Sequence, residues 1–214
     1  MKYKLVIFDL DGTLFDSSLG AIKSIDYTIE KLNLTPLSDD VKKTFIGPPI
    51  YNSLKNTYNL SDEEAKKATE IFRDVYKNKF LFEAEVYEGI VELLKQLKEK
   101  YKLAVASYKR DDYCKMLLEH FDLAKYFDYI MGADADNKLK KSDIVQCCMD
   151  NLGVTNPSEA VLIGDTEHDA LGAEALNMDF IGVTYGFGFK NKDDDKKYKS
   201  IAFVDNTKDI LNYI

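Results

Sequence analysis

No apolar run in this chain approaches the ~18 residues a helix needs to cross a bilayer, so no membrane span is expected. The first residues, MKYKLVIFDLDG, lack the long apolar stretch of a secretion signal and meet acidic residues at once, which predicts a cytoplasmic protein. Cysteine is scarce. Cys114, Cys147 and Cys148 are an odd number with no metal-ligand spacing, and the adjacent pair diverges on any helix, which favours reduced, buried thiols over a disulfide scaffold. The two histidines, His120 and His168, form no zinc arrangement with them. Positive charge is in deficit: 29 Lys and Arg stand against 37 Asp and Glu, for a net charge of −8. That field repels a nucleic-acid backbone. The most basic stretches, KLKK at 138–141 and KNKDDDKKYK at 190–199, are short and read as solvated surface. Repeats and long low-complexity tracts are missing.

What is present is core material. The 214 residues are 45% hydrophobic and include 14 Tyr and 12 Phe, enough to rule out disorder. KLVIF (4–8) is a continuous apolar run of β-formers, the mark of a strand buried on both faces in a parallel sheet. Similar runs follow at 102–107, 126–132, 160–165 and 179–186, with a further candidate at 201–206. Helix-period segments alternate with them at 89–101, 111–121, 142–153 and 168–177. This alternation predicts an α/β fold with a Rossmann-like, doubly wound parallel sheet. Residues 15–85 break the rhythm. They carry helical patterns at 19–33, 39–45 and 62–81, with Pro36, Pro48 and Pro49 between them and no convincing strand, and predict an all-helical insertion after the first strand.

Chemistry collects at four places, each at the predicted carboxyl end of a strand, the edge where α/β sheets bind ligands. Asp9 and Asp11 lie two apart and would project the same way from an extended strand, beside a Gly12-Thr13 turn. Two acids held close repel, so a cation or a shared proton is needed, and hard oxygen ligands point to Mg²⁺. Ser107 closes KLAVAS, where a hydroxyl can meet a phosphate oxygen or cap a helix. Lys138, Lys140 and Lys141 precede a helix, and one ammonium there could neutralise phosphate and carboxylate together. Asp165 ends AVLIGD, and Asp169 follows four residues later, close to it on a helical turn. Each signal alone also fits a plain structural role. Their coincidence on one sheet edge is what carries weight.

With FDLDGTLFDS (8–17), AVAS (104–107) and GDTEHD (164–169) in this order, the chain resembles the haloacid dehalogenase-like hydrolases, and FIGPPI (45–50), YEGIVELLKQL (87–97) and VTYGFG (183–188) are similar to the phosphoglycolate phosphatase branch. The resemblance implies a core of residues 1–14 and 86–214 with a helical cap at 15–85. It implies a Mg²⁺-dependent phosphomonoester hydrolase acting on a small phosphorylated metabolite, phosphoglycolate or a nucleoside 5′-monophosphate, as a monomer or weak homodimer. Asp9 would be the nucleophile and Asp11 the general acid and base. Mg²⁺ would be held by Asp9, the Asp11 carbonyl and Asp165, with Asp169 orienting that shell or ligating directly. Ser107 and Lys141 would neutralise the phosphoryl oxygens, assisted by backbone N–H groups near Gly12 and Tyr108. Relatives often carry Lys-Pro where this chain reads Leu139-Lys140-Lys141-Ser142; the spacing favours Lys141, with Lys140 the fallback. Two alternatives stay open: a phosphosugar mutase of the β-phosphoglucomutase type, and a receiver-like phospho-acceptor module.

Overall fold

The structure, a computed structural model, describes residues 2–134, 138–191 and 197–214, so residues 192–196 of the 190–199 charge run lie outside it. The chain divides into two compact units: Met1–Phe15 with Val86–Ile214, and Asp16–Glu85.

The Asp16–Glu85 unit is helical. Helices α1 (Ser18–Lys31), α2 (Asp39–Lys43), α3 (Ile50–Tyr58) and α4 (Asp62–Val75) are followed by a π-helical turn at Tyr76–Phe80. Ile25, Ile29, Phe45, Leu54 and Ala68 form its core. α4 starts on Ser61, whose hydroxyl accepts from the Glu64 N–H while Glu64 accepts from the Ser61 N–H, a reciprocal cap. α3 was not among the expected helices. Its sequence, IYNSLKNTY, is rich in Asn, Ser and Thr and follows two prolines, so its short stripe of Ile50, Leu54 and Tyr58 is easily missed.

The other unit is built on a six-stranded sheet. Its strands are β1 (Leu5–Phe8), β4 (Lys102–Arg110), β5 (Tyr129–Ala133), β6 (Ala160–Gly164), β7 (Asp179–Val183) and β8 (Ala202–Val204), in the order β5-β4-β1-β6-β7-β8. Every pairing is parallel. Two short strands, β2 (Phe15–Asp16) and β3 (Glu85–Val86), pair separately at the two places where the chain passes between units. Helices α5 (Ile90–Lys98), α6 (Asp111–His120), α7 (Lys141–Asn151) and α8 (Glu167–Ala175) complete the unit. The fold is therefore α/β with a parallel sheet, plus a helical region.

Strand periodicity aims the site. Leu5 and Ile7 of β1 join Ala104, Ala106, Leu162 and Phe180 in one core with Ile144, Val145 and Met149 of α7 and Ala170 and Ala173 of α8. Val6 and Phe8 point to the opposite face, and all four β1 side chains are fully buried. Burying such a run contributes roughly 1.5–3 kcal/mol per large apolar side chain. The next odd-numbered position, Asp9, continues the α7 and α8 side just past the strand's end. Register puts Phe8 opposite Val105 and Ile163, so β1 and β6 end at nearly one level while β4 runs on to Arg110. No helix among the described residues is long and apolar enough to cross a membrane.

Candidate active site

At that level three carboxylates meet. Asp9, Asp165 and Asp169 each offer an oxygen within 4.8 Å of the others, and all three are buried. Asp9 comes from the end of β1, Asp165 from the end of β6, and Asp169 from the first turn of α8. The Lys141 ammonium enters from the first turn of α7, 2.6 Å from Asp9 Oδ1 and 2.5 Å from Asp169 Oδ1. Lys141 is 3% exposed, whereas Lys140 is an exposed residue whose N–H donates to Asp143 Oδ2 at the head of α7.

Each acid is oriented by groups close to it. Asp169 Oδ2 accepts from the Thr166 N–H (3.0 Å) and hydroxyl (2.7 Å), which caps α8 and turns Oδ1 into the cluster. Oδ1 is ion-paired with the Lys141 ammonium, and among the described residues no further donor reaches it. Asp165 Oδ2 accepts from the N–H groups of Phe187 (2.7 Å) and Gly188 (3.3 Å), so the loop after β7 fixes that carboxylate. The VTYGFG segment flagged this loop, but nothing in its composition announced what its N–H groups hold.

Three carboxylates against one ammonium leave an excess of negative charge in a dry place. Burial, with repulsion from Asp169 and Asp11, outweighs the pull of Lys141 and pushes the Asp9 carboxyl up to about 7. Burial also drives Asp165 well above the usual carboxylate range, reinforced by Asp169 and Asp9 and opposed by the two backbone donors. Burial works against the Lys141 charge, but Asp169 and Asp9 overcome it and hold its pKa above that of ordinary lysine. A hard divalent cation fits this donor set. It would relieve the carboxylate repulsion that the single Lys141 ammonium leaves uncompensated.

Asp11 behaves differently from what an extended strand predicts. β1 stops at Phe8, and the Leu10 carbonyl accepts from the N–H groups of Leu14 and Phe15, which closes a turn over residues 10–15 with Asp11 inside it. Its carboxylate is not in the three-acid cluster. Both its oxygens lie 2.9 Å from the ammonium of Lys109, two residues beyond Ser107. Ser107 is buried at the same edge, and its hydroxyl accepts from the Lys109 N–H. It caps no helix: β4 runs on through Arg110 before α6 begins. The Tyr108 hydroxyl accepts from the Lys141 N–H at 2.9 Å, and its ring meets the edge of His168. His168 is half-buried beside the cluster, with no charged partner among its described contacts.

Gly12 makes the turn possible. Its φ is +83°, and a Cβ there would stand 2.2 Å from Asp165 Oδ2. Gly12→Ala is expected to cost about 1–3 kcal/mol through the left-handed backbone alone. A thermal melt should show a drop of several degrees; an unchanged Tm would mean the turn has another geometry.

This arrangement matches known proteins. Residues 6–183 fit the family model described as haloacid dehalogenase-like hydrolase. A 5′-nucleotidase from Pseudomonas aeruginosa is 30% identical over 90% of this chain and 87% of its own. Phosphoglycolate phosphatase 1 of the same organism is 26% identical over 97% and 78%. The crystal structure of a predicted phosphatase from Clostridium acetobutylicum superposes with a TM-score of 0.90 at 39% identity, covering 99% of this chain and all of that one. By motif order, fold and sequence, the chain belongs to the haloacid dehalogenase-like hydrolase family.

Proposed function

We propose that the protein is a cation-dependent phosphomonoester hydrolase that works through an aspartyl-phosphate on a small phosphorylated metabolite. The observation that carries this reading is the buried cluster of Asp9, Asp165 and Asp169 around Lys141, which has more negative charge than the chain itself neutralises. The names of the relatives make 2-phosphoglycolate and nucleoside 5′-monophosphates the first substrates to try.

In this reading an Asp9 oxygen attacks phosphorus in line and the ester oxygen leaves, giving a mixed anhydride that water can hydrolyse. Asp11 gives a proton to the leaving oxygen, then takes one from the attacking water. The Ser107 hydroxyl and the Lys141 ammonium hold the phosphoryl oxygens, joined by backbone N–H groups near Gly12 and Tyr108. Asp9, Asp165, the Asp11 carbonyl and Asp169 would hold Mg²⁺, which when bound supplies positive charge to the carboxylates and the phosphoryl group. The Asp16–Glu85 unit is the proposed cap, excluding bulk water and selecting substrates; its separate apolar core supports that role.

The test is inorganic phosphate release from a panel of about 100 phosphorylated metabolites, ranked by kcat/KM. Release with Mg²⁺ is expected to fall about 100-fold or more after chelation and to return when Mg²⁺ is restored. Release indifferent to chelation, or none from any compound, would overturn the proposal. Isomerised sugar phosphate without net phosphate release would instead indicate a mutase.

A further inference from the structure

We infer that Lys109 is a positioning residue that holds the Asp11 carboxylate for its work; the inference rests on the acid and base role proposed for Asp11. The ammonium sits at 2.9 Å from both Asp11 oxygens, and the two side chains are only 8% and 11% exposed. So close a contact to both oxygens leaves that carboxylate little rotational freedom.

The lysine is itself held. Its N–H donates to Ser107 Oγ at 3.2 Å, and its carbonyl accepts from the Cys114 thiol of α6 at 3.3 Å. From β5, Gly132 packs so tightly against this backbone that a Cβ there would come within 2.5 Å of the Lys109 carbonyl. The pairing of β4 with β5 is irregular between Ala106 and Arg110, the stretch that carries Lys109 past the strand's regular end. Sheet, helix and glycine contact together fix the Lys109 backbone from which the ammonium reaches Asp11.

Asp11 is fixed from the other side by the turn that the Leu10 carbonyl and Gly12 make. A buried lysine–carboxylate pair adds little net stability, because desolvating both charges offsets their attraction. What such a pair supplies is orientation. A carboxyl group that must reach the leaving oxygen, and later a water, depends on a well-defined direction, and misplacement by about 1 Å can cost on the order of 100-fold in rate. Ser107-Tyr108-Lys109 thus serves the site three ways: a hydroxyl at its edge, a phenol on the Lys141 N–H, and an ammonium on Asp11.

The test compares two esters of similar shape, p-nitrophenyl phosphate and phenyl phosphate; the second has the poorer leaving group and needs the proton more. Asp11→Asn should lose about tenfold more activity on phenyl phosphate than on the nitro compound. Lys109→Met should reproduce that bias, and adding it to Asp11→Asn should change the rate by less than about twofold, because both act through one group. Lys109→Arg, which keeps a cation with paired donors, should recover part of the loss. A melting curve for each variant separates misfolding from misdirection, with Lys109→Gln as the second probe if Lys109→Met unfolds. Equal losses on both esters, or losses that multiply with Asp11→Asn, would show that Lys109 acts on the phosphate or the fold and would overturn the inference. If Asp11→Asn shows no leaving-group bias while phosphate release persists, it is the acid role of Asp11 that fails.

Discussion

Asp9→Asn should reduce phosphate release by about 10⁴-fold or more while leaving the protein at least as stable as before. The two effects separate because Asn keeps the shape of the side chain. Its amide oxygen can still accept from the Lys141 ammonium, which lies 2.6 Å from Asp9 Oδ1. What disappears is the nucleophilic charge. The Asp9 carboxylate is nearly enclosed, with its pKa raised by burial and by Asp169, so taking a negative charge out of this cluster relieves repulsion. A melting curve beside a phosphate assay reads both quantities. Turnover within tenfold of the parent would remove Asp9 from the nucleophile's role. A large fall in Tm would mean the carboxylate is structurally needed and the activity loss uninformative.

Lys141→Ala and Lys140→Ala should differ by a wide margin, although the residues are adjacent. Lys141 is the ammonium in contact with the three-acid cluster, and its removal leaves buried carboxylates without their counter-charge, a loss of about 3–5 kcal/mol. Activity should fall about 10³-fold or more, since a cation facing the phosphoryl oxygens is lost as well. Lys140 is exposed, and its contact to Asp143 runs through the backbone N–H, which alanine retains; its substitution should stay within about 0.5 kcal/mol. Added Mg²⁺ should restore much of the stability of Lys141→Ala but not its turnover, because a divalent ion can offset carboxylate repulsion without replacing an ammonium on the phosphate. The reverse pattern, with Lys140→Ala the more damaging, would shift the functional lysine by one residue.

The sheet was legible in the sequence because doubly buried strands such as LVIF and AVLIG are uninterrupted apolar runs, a signal that depends on neighbours in the chain. The pairing of Asp165 with Asp169 was legible for the same reason: four residues across a strand-to-helix turn is a local distance. Asp11 was harder to read. The expectation that it would project beside Asp9 assumed an extended backbone, and the turn at Leu10 and Gly12 gave it Lys109, 98 residues away, instead. The Tyr108 phenol on the Lys141 N–H and the Phe187 and Gly188 donors on Asp165 are likewise tertiary facts, set by loop paths that carry no periodicity. α3 escaped notice because its stripe of Ile50, Leu54 and Tyr58 spans only nine residues among Asn, Ser and Thr.

The strand order has a consequence for how the polypeptide is made. β1 lies in the middle of the sheet, between β4 and β6, yet both of those strands follow it in the chain. Its earlier neighbour begins at Lys102 and its later one at Ala160. Roughly a hundred residues must therefore be translated, about 5–20 seconds at ordinary elongation rates, while four adjoining apolar side chains wait without an edge to zip onto. During that interval the nascent LVIF segment has to be shielded by something other than its own sheet neighbours.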